Sequence, residues 1–163
     1  MDAFNAYLLV RRFLRQPESR RRARRVAALM EAMAEALPEV DPKVDNGKVR
    51  DTWSVLGLLS QLDWESAADN PEARGRLARE QAELEGLDAD LAKSLEVCWQ
   101  TDFPQQDFPK HVHALRIADA LADNIQLSAA DSRLQRPLYK LGLDAAHLQR
   151  IVWAVERTEG KEP

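Results

Sequence analysis

Cysteine is nearly absent from this chain of 163 residues, with Cys98 the only one. A single thiol excludes an internal disulfide and a zinc site built from clustered cysteines. Glycine is scarce too: six are scattered, and none forms GxGxxG or GxxxxGKS/T. The glycine-rich phosphate loops of dinucleotide and nucleoside-triphosphate binders are therefore excluded. Three histidines occur without an HExxH sequence, which removes the zinc-protease helix. No apolar run approaches the roughly 18 residues of a membrane span. The opening MDAFNAYLLVRRFLR places its positive charges after its short apolar stretch, the reverse of a secretory signal. A cytoplasmic protein with no membrane partner is expected. No stretch alternates as a strand does, and there is no repeat or low-complexity tract.

What is present suits one globular domain. Hydrophobic residues make up 45% and charged residues 31% of the chain, enough of each for a core and a solvated surface. The net charge of −4 hides an asymmetry. Residues 1–25 carry eight arginines (11, 12, 15, 20, 21, 22, 24 and 25) against Asp2 and Glu18, a balance of +6, so the remainder carries −10. A basic segment on an acidic body suits nucleic acid or an acidic partner. The plain alternative is a solvated helix face, or pairing with the acidic body.

The periodicity is helical throughout. Residues 3–15 place Phe4, Tyr7, Leu8, Val10 and Leu14 near helical spacing, with Pro17 closing the segment. A second helix is expected over 18–37, its stripe Val26, Leu29, Met30, Met33 and Leu37 opposite the arginines. PEVDPKVDNG (38–47) reads as a turn-rich connection, and a helix with Val49, Trp53, Leu56 and Leu59 follows from about Lys48. Asp69 or Asn70 is placed to cap a helix running from Pro71 to about Glu85, with Gly86 as its stop. LDADLAKSLEVCWQ forms a fifth helix, with Asp88 as cap, and TDFPQQDFP (101–109) a loop. KHVHALRIADALADNIQL forms a sixth. Ser128 or Asp131 opens a seventh piece that Pro137 is placed to interrupt. LDAAHLQRIVWAVERT closes the series, and 159–163 read as a frayed tail. The expected fold is all-α, a single bundle of about seven or eight helices, with the N-terminal helix 1–17 leading into a body over 18–158.

Few residues carry chemistry on sight. His111 and His113 are two apart, so one helix points them to different sides and they cannot share an ion. Cys98, beside Trp99 on an apolar helix, reads as a packed thiol. Trp53, Trp64, Trp99 and Trp153 read as core, since their sequence neighbours are mostly not basic. Asp119 and Asp123 stand one above the other at helical spacing, which suits a cation or acid–base work. In ALRIADALAD, Asp119 sits among apolar residues and needs a partner. Arg22, Arg25 or Arg116 would serve, or a metal.

The succession RRVAALMEAMAEAL, WSVLGLLSQLDWES, NPEARGRLAREQAELEGLDADLAKSLEVCW and ALRIADALAD, over residues 18 to 158, resembles the small all-α members of the HD-domain superfamily of metal-dependent phosphohydrolases. The resemblance implies an HD-like helical fold. It places the family's first histidine, four residues before a Val-Ala pair, at Arg22. It places the His-Asp pair after GLL at Ser60 and Gln61, further histidines at Asn70 and within VCWQ, and the last aspartate at Asp119. Of the four defining ligands only Asp119 remains. Metal-dependent hydrolysis needs several imidazole and carboxylate ligands in fixed geometry, and a guanidinium repels a cation.

Three readings follow. The first is a catalytically silent HD-like module, with no cofactor, that binds a protein partner or a phosphate-bearing ligand. Arg22, Ser60, Gln61 and Asp119 are its vestigial metal positions, Arg21, Arg22 and Arg25 its anion contacts, and an Arg22–Asp119 pair stands in the metal's place. The second is a phosphohydrolase using Mg or Mn on a displaced set drawn from Asp63, Glu65, Asp119, Asp123 and His111. The third is nucleic-acid binding through residues 11–25. The N-terminal helix, outside the resemblance, is expected to pack on the body or on a second copy as a homodimer.

Overall fold

The computed structural model describes residues 1–37, 46–100 and 108–159, with the side chain of Asn46 left aside. The expected connections at 38–47 and 101–109 and the tail fall almost wholly outside them. Among the described residues the chain is all-α: α1 Ala3–Phe13, α2 Pro17–Ala36, α3 Asn46–Leu59, α4 Arg76–Leu84, α5 Ala89–Val97, α6 Lys110–Asp123, α7 Ser132–Leu141 and α8 Ala145–Glu159. One 3-10 turn, Pro71–Ala73, precedes α4. No described helix is long and apolar enough to cross a membrane.

α2 is the central post, packed on α3, α6, α8 and α1. Its stripe Val26, Leu29, Met30 and Met33 is fully buried, as the spacing predicts. Backbones approach closely where α2 crosses α3. A methyl group added at Gly57 would lie 2.7 Å from the Ala27 Cα, so only glycine admits that contact. α6 lies on the same core with Val112, Leu115, Ile117 and Leu121 buried, and α7 packs on it.

Several elements differ from the sequence reading. α1 turns Ala6, Leu9, Val10 and its cap Leu14 inward, and Phe4 and Leu8 face out. A one-position rotation of the stripe satisfies the same apolar spacing, and packing on α3 decides between them. The helix expected over 71–85 breaks at Arg74–Gly75, because Gly75 adopts φ +91°. Asn70 occupies the cap position before Pro71 without a side-chain capping bond. The sixth helix stops at Asp123. α7 opens on Asp131, whose carboxylate accepts from Arg133 N, and runs through Pro137, whose ring is buried. Trp153, expected in the core, is 61% exposed on the outer face of α8. Glu159, assigned to the tail, ends α8 and pairs with Arg25.

Candidate functional site

α2, the segment after α3, the Pro71–Gly75 turn and α6 meet around one carboxylate. Asp119 lies on α6 with its side chain only 15% exposed. An isolated carboxylate at such depth is costly, so its partners decide what the site is. Arg22 of α2 donates from Nη2 to Asp119 Oδ1 at 2.9 Å and from Nη1 to Asp123 Oδ1 at 2.6 Å. Arg74 donates from Nη2 to Asp119 Oδ1 at 2.6 Å and from Nη1 to Oδ2 at 3.1 Å, a two-pronged grip. Gln61 completes the cluster. Its Nε2 donates to Asp119 Oδ1 and to Ser60 Oγ, both at 3.2 Å, and its Oε1 accepts from Arg22 Nε at 3.0 Å. Ser60 Oγ in turn donates to the Gly57 carbonyl at 2.8 Å.

The four positions singled out in the sequence, Arg22, Ser60, Gln61 and Asp119, therefore form one connected network. Helical spacing explains part of it: Arg22 stands four residues before Val26, on the buried side of α2 rather than among the outward arginines. Burial by itself would push the Asp119 carboxyl up. Arg74, with Arg22 and Gln61 adding, holds it below the usual carboxylate range.

Arg74 and the stacking beneath it were not read from the sequence. The Arg22 guanidinium lies 3.7 Å from the centre of the Trp64 ring, and that of Arg74 lies 3.7 Å from Trp99 and 5.1 Å from Trp64. Two of the four tryptophans are thus floors for buried cations, an arrangement that desolvation strengthens. Their basic neighbours come from distant segments. The one signal in the sequence was Gly75 directly after Arg74. The left-handed turn there throws Arg74 inward, and a side chain at 75 would strike the Leu95 carbonyl oxygen at 2.4 Å. Asp63 holds the turn, its Oδ2 accepting from Gly75 N at 2.6 Å. Burial pushes the Asp63 carboxyl above its usual range, and the Gly75 N–H pulls the other way.

The remaining candidates disperse. Glu65 accepts from Arg15 N at 2.9 Å and Gln16 N at 3.0 Å, tying the start of α2 to the segment after α3. His111 shares a 2.8 Å hydrogen bond with Ser94 Oγ, and burial, with a smaller effect of His113, lowers its pKa to about 4. Cys98 is buried, and burial pushes its thiol well above its ordinary range. Arg25 binds Glu159 at 2.6 and 2.8 Å. Arg116 donates to the Cys98 carbonyl at 2.7 Å. Neither meets the Asp119 carboxylate in a hydrogen bond, although both were weighed as its partner. Among the described residues no three His, Cys, Asp or Glu side chains converge as a metal set.

The donor chemistry at Asp119 does not suit a divalent ion. The single carboxylate already accepts from two guanidiniums and an amide. Gln61 Oε1 is taken by Arg22, and Ser60 gives its proton to a carbonyl. An ion would have to displace cations stacked on tryptophan.

Two clefts flank the network. A basic one of about 870 Å³ lies among α2, α6 and α8, lined by Arg21, Arg22, Arg24 and Arg25 against Glu18 and Glu159. A smaller one of about 420 Å³ is walled by Trp64, Ala67, Ala68 and Pro71, with Ser19 and Arg74 at its edge. Comparison with protein-family models, with curated proteins and with solved structures gives no match.

Proposed function

We propose that this chain is a catalytically silent HD-like helical domain that acts by binding, with a phosphate-bearing ligand in its basic cleft. The observation that carries this reading is the double grip of Arg22 and Arg74 on Asp119. In the resemblance to HD phosphohydrolases, Asp119 is the one remaining metal ligand. Here its charge is answered by protein cations, so the polarising chemistry that a metal would supply has no ligand set to stand on. What the site does offer is preorganised positive charge. Of the four arginines on the cleft wall, Arg22 is paired with Asp119 and Asp123 and Arg25 with Glu159. The charge open to an anionic ligand is therefore that of Arg24 and of Arg21, the latter 3.9 Å from the exposed Glu18. Arg22 and Arg25 are held in place by carboxylates, which fixes their forks without the ligand.

The test is calorimetric titration of inorganic pyrophosphate into the intact chain, beside a screen for hydrolysis of nucleotides and phosphate esters. Binding that weakens at least about tenfold on Arg21→Ala/Arg24→Ala, with no turnover, supports the proposal. Turnover that needs added Mg or Mn, and that fails on Asp63→Asn or Asp123→Asn, would establish the displaced carboxylate hydrolase in its place. The absence of both binding and turnover would refute the phosphate ligand.

A further inference from the structure

One surface lies outside this site. On α1, Phe4, Leu8, Arg11 and Arg12 occupy positions i, i+4, i+7 and i+8, so they project to one side of the helix. Phe4 is 69% and Leu8 45% exposed. The opposite side of α1 is already spent on the core through Ala6, Leu9 and Val10. Phe4 and Leu8 therefore add little to the core, and Arg12 meets it only over the Phe13 ring, at 5.3 Å. Arg15 follows just past the cap of the same helix. Among the described residues Arg11, Arg12 and Arg15 enter no ion pair, unlike Arg21, Arg22 and Arg25 of α2. Arg24 of α2, which lines the basic cleft, stands 5.9 Å above the Tyr7 ring and is not counted in this ridge. Of the acids near the ridge, Asp2 is occupied in capping α1 through Asn5 N, and Glu65 in accepting from the Arg15 and Gln16 amides.

We infer that this ridge seats the protein on an anionic lipid surface. Phe4 and Leu8 would enter the boundary between headgroups and acyl chains, and the arginines would face the headgroup phosphates and carboxylates. The pairing of two exposed apolar side chains with cations that enter no ion pair among the described residues is what selects this occupant. A bilayer surface offers both a charged layer and an apolar layer at that spacing. Nucleic acid would use the arginines and leave Phe4 and Leu8 idle. Neither signal is strong alone, so attachment needs both and is reversible. No membrane span is required, so the lack of one in the described helices does not bear on it.

The test is flotation of the full chain with vesicles of phosphatidylcholine, with and without phosphatidylserine. Expected are capture by the anionic vesicles only, release by salt, and roughly tenfold or greater loss of capture for both Phe4→Ser/Leu8→Ser and Arg11→Gln/Arg12→Gln. These four side chains are exposed, so each variant should keep the parent's helical circular dichroism and melting temperature. Three results would overturn the proposal: no capture by anionic vesicles, capture unchanged by Phe4→Ser/Leu8→Ser, or a dimer held by α1 that competes with vesicles. Binding of duplex DNA that ignores the apolar pair, without vesicle capture, would assign the arginines to nucleic acid instead.

Discussion

Two groups of arginines lie close together in this chain and do opposite work. Arg22, joined in space by Arg74, is folded inward onto Asp119 and stacked on tryptophan. Arg11, Arg12 and Arg15 stand outward on the side of Phe4 and Leu8 and enter no ion pair among the described residues. The inner pair is bound into the fold, so its removal is felt as lost stability. The side chains of the outer group have only the Arg12–Phe13 stacking contact among the described residues, so their removal is felt mainly by a partner. A run of like charges is thus two devices, and the difference between them is desolvation.

The largest expected effect breaks the inner group. Asp119→Ala strips Arg74 of its counter-charge and leaves Arg22 only Asp123, and should cost about 3–5 kcal/mol in urea unfolding at pH 7. A loss under about 1 kcal/mol would put the pair on a par with surface ion pairs. Next comes the turn that delivers Arg74. Gly75→Ala must strain a left-handed residue and push against the Leu95 carbonyl. It should cost about 2–4 kcal/mol by the same measurement, with altered Trp fluorescence.

A third effect separates the buried imidazole from the buried carboxylate. His111 has a folded pKa of about 4, lowered by burial, against an ordinary value of 6.5. The unfolded chain takes up its proton first, so stability is full above about pH 6.5 and falls as pH drops toward 4. The loss is up to roughly 3 kcal/mol, and His111→Gln should flatten that stretch of the stability–pH curve. Asp119, held below the ordinary carboxylate value, acts lower. Its contribution is present above the unfolded pKa near 4 and is lost as pH falls through its own depressed pKa. The smallest effect is on the outer group: Arg11→Gln/Arg12→Gln should leave urea stability within about 0.5 kcal/mol of the parent. A larger loss would mean the outer arginines have partners in the fold, and the contrast would collapse.

The helices, the core stripe of α2 and the pairing of Arg22 with Asp119 were legible because each follows from local spacing or from the cost of burying one charge. Ser60 and Gln61 were legible as positions, and their hydrogen-bond roles follow once Arg22 lies beside them. Arg74 was not legible. It reaches Asp119 across 45 residues of sequence, through a break that a helix-shaped apolar pattern conceals. Trp64 and Trp99 read as core because cation stacking leaves no local trace in sequence. On α1 the spacing places Val10 and Leu14 in the core correctly, but Phe4 and Leu8 face out and Ala6 and Leu9 are buried instead, a choice that packing on α3 makes.

Arg22 and Arg74 together answer the charge of Asp119, which leaves that carboxylate no need of a metal. Equilibrium dialysis of the intact chain against manganese, with metal content read by mass spectrometry, tests it most directly. Expected are no stoichiometric tightly held manganese and no difference between the parent and Asp119→Asn. One tightly bound ion per chain, lost on Asp119→Asn, would contradict this.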